Sequence, residues 1–380
     1  VKFDEFLASF RELIAASPEE ELAPGARYVI VSDLHMGDGS SRDDLEKNRG
    51  LIMAVLRDWY FARGFTLILA GDVEDLYKFD MPLIRRAWEE LYALFDAFDG
   101  LGRLRKLVGN HDLALLRERE GPYRLLEGLS LLYGTRRLFC FHGHQASRFF
   151  SRYNDVSDFL VRYVAKPLHY RNPSASNDSR QRFKAERRIY RASKGLGMVS
   201  IAGHTHRPLF ESLSKYDSLR FAMEGLVQDY PGADAAGRRE IEERVRVYRA
   251  EFERLRKKER GGFLARGLYE ELDFVIPCVF NAGCATRDGA MTAIEVVGPS
   301  PADAVPAAAA ADQARGASIA LVHWAAQGSA KAYIEKEALE AYALPRGDGA
   351  GGPWVRYVIR RDALDSVFAR IDLLGGQPPA

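Results

Sequence analysis

Short apolar runs alternate with amphipathic stretches along the first part of the chain. Residues 27–32 (RYVIVS) and 66–70 (TLILA) are apolar runs of strand length, and 105–108 is a shorter one. Such runs predict strands buried inside a sheet. Between them, 44–63 places Leu51, Val55 and Trp59 four residues apart, the spacing of one helix face. Residues 83–98 read as a second helix. Strand–helix–strand alternation predicts an α/β sheet with helices on its faces. Farther along, 129–133 and 136–141 with Gly134 between them predict a hairpin. Strands are expected at 198–202, 274–280, 290–297, 319–324 and 354–359, and a closing helix at 361–374.

Three segments depart from this pattern, within what reads as a single domain over 1–380 with no internal repeats. Residues 148–197 are helical in character and basic. Arg148, Arg152, Arg162, Lys166 and Arg171 begin a series of bases interleaved with aromatics such as Phe149, Phe150 and Tyr153. This is either a cap that binds an anionic, lipid- or nucleotide-linked phosphoester or an amphipathic helix pair with a solvated basic face. Residues 214–272 are helical and densely charged. Ile241, Val245, Tyr248, Phe252 and Leu255 are spaced four, three, four, three, a seam for a partner helix. A hairpin packed on itself is the favoured reading, with a homodimer contact or a lid over the site as the alternative. Residues 298–316, rich in Ala and Pro, read as a surface linker.

Charge and composition narrow the function. Lys plus Arg number 54 against 53 Asp plus Glu, a net charge of +1. A global basic field that would recruit nucleic acid is therefore absent, so nucleic acid is not the expected partner. Three cysteines, Cys140, Cys278 and Cys284, form no disulfide or zinc-finger pattern, which suits a reducing, cytoplasmic setting. No apolar stretch is long enough to span a bilayer, and residues 1–10 do not read as a signal peptide. Peripheral membrane contact stays open.

Five short polar signatures sit where expected strands give way to loops. They are Asp33-x-His35, Gly71-Asp72, Gly109-Asn110-His111-Asp112, His142-Gly143-His144 and Gly203-His204-x-His206. Each is weak alone, because a Gly-Asp is most often a turn and a lone histidine is most often a core residue. Together they can converge on one sheet edge, where α/β folds place their ligands. Imidazole and carboxylate oxygen without thiolate suit Mn, Fe, Zn, Co or Ni better than Ca or Mg. One carboxylate can bridge two such ions.

This order of motifs resembles the calcineurin-like metallophosphoesterase superfamily over about residues 27–284. The resemblance implies a four-layer αββα sandwich of two mixed sheets with helical insertions. It implies a hydrolase of phosphoester bonds, a phosphomonoesterase or phosphodiesterase, with two divalent ions (Mn foremost) and a metal-activated water or hydroxide. Asp33, His35 and His206 would hold one ion, Asn110, His142 and His204 the other, and Asp72 would bridge them. His111 would protonate the leaving group or stabilise the phosphoryl oxygens, with Asp112 orienting it. His144, Arg148 and Arg152 are candidates for contact with a small phosphorylated substrate. The segment Asn281-Ala282-Gly283-Cys284 either shapes the pocket floor or is a turn with no role.

The basic insertion resembles the cap of the UDP-2,3-diacylglucosamine pyrophosphohydrolase branch, which carries Arg where this chain has His111. A pyrophosphatase of that type is therefore the alternative rather than the leading reading. A metal-free interaction scaffold and a nuclease of the same superfamily are the remaining alternatives.

Overall fold

The computed structural model describes residues 3–116, 123–147, 179–258, 268, 274–300, 316–345 and 352–375. Arg148, Arg152, the first part of the expected cap, most of the Ala/Pro segment and the end of the second insertion lie outside the described residues.

The chain opens with helix α1 (Phe3–Ala16) and a short strand β1 (Glu19–Glu21), neither singled out by the hydrophobic pattern. Strand β2 (Arg27–Val31) leads to α2 (Arg49–Ala54), which widens into a π-helical stretch at Val55–Phe61 before β3 (Thr66–Ala70). The wider turn shifts the buried face from the expected Trp59 to Tyr60, which is fully buried. Tyr60 donates to Glu295 at 2.8 Å and accepts from Trp324 at 3.2 Å, so the shift carries its hydroxyl to a buried polar network.

The expected helix over 83–98 is two helices, α3 (Met81–Ala87) and α4 (Glu89–Gly100). The break falls at Trp88, whose backbone leaves helical values while its buried indole donates to Asp43 at 2.9 Å. Next come β4 (Leu104–Leu107), β5 (Leu125–Leu126), and the expected hairpin, β6 (Gly128–Tyr133) and β7 (Arg136–Phe141). Helix α5 (Ser179–Leu196) precedes β8 (Val199–Ala202). The second insertion holds α6 (Lys215–Asp229) and α7 (Ala235–Lys258), which pack on each other. Ser214 and Asp217 form a reciprocal cap that starts α6.

Strand β9 (Val279–Asn281) is shorter than expected. It is followed by β10 (Ala290–Val297), β11 (Ser318–Ala326), helix α8 (Ala332–Glu337), β12 (Glu340–Leu344), β13 (Trp354–Ala363) and helix α9 (Leu364–Leu374).

The strands form two mixed sheets, in the orders β12-β13-β11-β10-β2-β3-β4-β5 and β1-β6-β7-β8-β9. Alternation along the strands builds the layers. Ile30, Ile68, Ile294 and Leu321 join one core with Leu129, Leu138 and Cys140 of the smaller sheet. Val29, Val31, Leu67 and Leu69 point the other way and pack with Leu51, Leu91 and Phe95 of the outer helices. On the far side, Phe10 of α1 meets Phe139 and Phe141 at ring centroids of 5.6 and 5.1 Å. The result is an α/β sandwich with two mixed sheets inside and helices outside, as the sequence leads one to expect. Strands β2, β3 and β4 are mutually parallel, as are β7, β8 and β9. Each trio therefore delivers its following loops to a single edge. Among the described residues, no helix is long and apolar enough to cross a membrane.

Candidate metal centre

The backbone is strained where those loops meet. Asp33, His35, Asp72, His204 and His206 have φ of 56°, 49°, 52°, 65° and 53°. Left-handed backbone costs a non-glycine residue about 1–2 kcal/mol. Apart from Glu211 and Ser212, these five are the non-glycine residues in that region among those described. Inter-strand bonds hold them there: Asp33 donates its N–H to the Gly71 carbonyl at 3.1 Å, and His35 to that of Asp72 at 3.0 Å.

The neighbouring glycines serve close approach. A Cβ on Gly109 would stand 2.1 Å from Asp72 Oδ1, and one on Gly203 would stand 1.9 Å from Ser32 Oγ. Gly71 differs in also having a positive φ, 87°.

Among the described residues, three groups of side chains are placed to hold a metal ion: Asp33 with His35 and His206, Asp72 with His142 and His204, and, at their rim, His35 with Asp75 and His111. In the first, His206 Nε2 lies 3.0 Å from Asp33 Oδ1, and the Nε2 atoms of His35 and His206 are 3.1 Å apart. In the second, His142 Nε2 lies 3.2 Å from Asp72 Oδ2. The same Asp72 oxygen is 3.8 Å from His35 Nε2, so it faces both groups.

The tautomer of His142 is dictated by its surroundings. Its Nδ1 is 2.9 Å from the Ala70 carbonyl oxygen, which can only accept, so Nδ1 carries the proton. Nε2 then faces the Asp72 carboxylate oxygen, where it can carry a second proton or offer a lone pair to a metal ion. His142 Nε2, Asp33 Oδ1 and Asn110 Oδ1 are all buried without a hydrogen bond. Such a cluster of buried acceptor atoms is satisfied by positive charge, from protons or from a metal ion.

Electrostatics agree. Burial pushes the Asp33 and Asp72 carboxyls up, but the surrounding imidazoles outweigh it and hold both well below the usual range. Burial works against charge on His142, yet Asp72 draws it up to about 9, and Asp33 likewise raises His206. Without metal, protons supply the positive charge that the carboxylates demand. His204 is pushed down to about 3 by burial and by the charge on His142.

His111 stands at the rim of both groups, its ring 4.5 Å from that of His35. The expected orienting role of Asp112 requires correction. Asp112 is wholly buried and accepts the backbone N–H groups of Gly109 at 2.5 Å and Val73 at 2.7 Å. It therefore braces the two loops, and burial with the Asp72 and Glu74 charges pushes its carboxyl up to about 7. The partner of the His111 ring is Asp75, with Oδ1 2.8 Å from Nδ1. The sequence reading missed Asp75, although its place three residues after Asp72 was a usable signal. Tyr77, also missed, lies against His111 with ring centroids 4.3 Å apart.

The turn carrying His204 and His206 is clamped from two sides. Asn281 donates to the Gly203 carbonyl at 2.7 Å and to Thr205 at 3.2 Å, while Thr205 donates to buried Glu186 of α5 at 2.8 Å. Asn281 thus positions the turn that carries the two histidines. His144 is buried behind His142 and His204, at ring centroids of 5.4 and 6.4 Å. Ser147 Oγ, 3.0 Å from His204 Nε2, is a further polar group in the site.

No protein-family model and no curated protein matches the chain. Among solved structures it resembles a conserved uncharacterized protein of Streptococcus pneumoniae described as a predicted phosphoesterase. The identity is 17%, over 50% of this chain and 67% of that one, with a TM-score of 0.20. The fold is a mixed α/β sandwich, and its loop edge carries histidine–aspartate groups fit for metal.

Proposed function

We propose that the chain is a metal-dependent phosphoester hydrolase of the calcineurin-like metallophosphoesterase kind, acting on a small phosphorylated substrate with two divalent ions. Asp33, His35 and His206 would hold one ion and Asn110, His142 and His204 the other, with Asp72 between them. The donor set of imidazole, carboxylate and amide oxygen favours Mn, with Fe, Zn, Co or Ni as alternatives. Bound at such a site, the ions lower the pKa of a coordinated water and neutralise charge on phosphoryl oxygens.

The single observation that carries this reading is the buried Nε2 of His142, its ring oriented by the Ala70 carbonyl, facing Asp72 Oδ2, a carboxylate oxygen directed at both groups. The rest follows from this chain's own side chains. The Asp75 hydrogen bond fixes the plane of the His111 ring, leaving Nε2 4.0 Å from Asp72 Oδ2 and on the site side. A proton held there can be passed to a departing oxygen.

The test is hydrolysis of a series of aryl phosphates with Mn²⁺. His111→Ala should slow turnover most for the poorest leaving groups. Equal slowing across the series would remove the proton-donor role, and no turnover by the wild type would remove the hydrolase reading.

A further inference from the structure

A second feature of the same sheet edge is charge. Strand β10 runs antiparallel to β2, so Ala290 at its start lies at the edge where β2 delivers Asp33. Ala290 pairs with Ala325 near the end of β11. The turn before β10 therefore brings Arg287 to the metal edge, and the loop after β11 brings Lys331. Arg287 is exposed, and its guanidinium donates to the His206 carbonyl at 3.2 Å.

The helical hairpin of the second insertion adds Lys215 and Arg254. Glu251 is the carboxylate they share. Lys215 is ion-paired with it, Arg254 reaches it at 2.7 and 2.8 Å, and Lys331 lies 3.5 Å away. Lys215 also sits 3.5 Å over the ring of Tyr333. Glu337, on the same side, is taken up by Arg360. Three cations thus share one carboxylate, and Arg287 adds a fourth toward His206.

The imbalance registers on the groups themselves. Glu251 gains from its neighbours and falls to about 2 despite burial. Lys215, in the same ion pair, is lowered to about 8, chiefly by burial, which outweighs the raising effect of Glu251, with smaller contributions from Lys331 and Arg254. Among the described residues, three cations around one carboxylate leave a net positive charge that an anion can neutralise.

We propose that Lys215, Arg254, Arg287 and Lys331 form a cationic ledge that binds a second anionic group, a phosphate or a carboxylate, on the phosphoester held by the metal centre. The inference rests on the hydrolase reading for the identity of its ligand. It narrows the substrate to a phosphoester with at least two anionic groups.

The ledge can be tested without metal or turnover. Inorganic pyrophosphate and, separately, citrate are titrated by calorimetry into the 380-residue chain, stripped of metal on a chelating resin, at low ionic strength. One anion per chain is expected to bind, and the tighter of the two probes identifies the group as phosphate or carboxylate. The double variant Lys215→Ala, Lys331→Ala should weaken binding about tenfold or more, the loss of two charge-assisted contacts. Glu251→Gln removes the competing carboxylate and should tighten binding several-fold, by roughly the charge–charge terms of a half-exposed cluster.

The two variants guard against misfolding as an explanation, because a network that only anchors the hairpin would be loosened by both. No binding of either anion to the wild type, or binding unchanged by the lysine variant and not improved by Glu251→Gln, would overturn the ledge. Aryl phosphate turnover by the wild type reads the metal centre alone, so its loss would remove the hydrolase reading and leave the anion titration to stand or fall separately.

Discussion

Asp75→Asn separates the role of Asp75 from that of Asp112. The Asp75 side chain is about 1% exposed, with Oδ1 2.8 Å from His111 Nδ1 and Oδ2 2.9 Å from Lys78 Nζ. Burial pushes its carboxyl up, but the hydrogen bond and charge of His111, then His35 and Lys78, carry it down from 3.8 to about 2. That difference corresponds to ~2 kcal/mol in favour of the ionised form. Because the folded value is depressed, this stability is present above the unfolded value near 4 and is lost as pH falls through about 2. Asp75→Asn removes it at neutral pH and leaves the His111 ring without an anionic partner. Turnover of an aryl phosphate should fall by about 10²- to 10⁴-fold, the worth of a positioned proton donor, with metal content unchanged.

Asp112→Asn should also cost stability but leave the proton-donor role of His111 in place. Its amide group would face one of the N–H donors of Gly109 or Val73, leaving a buried donor unmet at about 1–3 kcal/mol. Stability in a urea titration should drop, and the leaving-group dependence of the residual turnover should stay that of the wild type. Turnover of Asp75→Asn within about threefold of wild type, well short of what a positioned proton donor contributes, would refute the pairing of Asp75 with His111.

Gly109→Ala places a Cβ 2.1 Å from Asp72 Oδ1 and 2.4 Å from its backbone nitrogen. It should abolish metal binding while circular dichroism still shows the fold. Gly134→Ala meets no atom within 4 Å but retains φ of 60°, and should cost about 1–2 kcal/mol of stability and no metal. Glu295→Gln leaves Arg356 buried without its ion-pair partner, about 6% exposed on both sides. It should cost about 3–5 kcal/mol in a denaturant titration, and a cost below 1 kcal/mol would show the pair to be replaceable.

The metal-ligand candidates were legible because each sits just past the end of a parallel strand, where sequence shows both the apolar run and the polar residue that ends it. Asp33 after RYVIV and Asp72 after TLILA are of this kind. What was not legible depends on distance in the chain. The resemblance made Asp112 the partner of His111, yet adjacency in a tight loop turned its carboxylate toward the Gly109 and Val73 amides instead. Asp75 reaches His111 from another strand end. Lys215 and Lys331 meet at Glu251 only because the hairpin folds over the sheet edge, and no local pattern marks that. The π-helical widening at Val55–Phe61 was likewise hidden, since the four-residue spacing of Leu51, Val55 and Trp59 fits an ordinary helix.

The central claim is that two cations belong between these side chains, and counting them tests it most directly. After loading with Mn²⁺ and removal of excess, elemental analysis should find about two ions per chain, the number a bridged pair requires. In Asp72→Asn, which keeps the shape but halves the donor oxygens between the two groups, retention should fall below about one. A wild type that retains no metal, or an Asp72→Asn variant that retains two ions as tightly, would contradict the account.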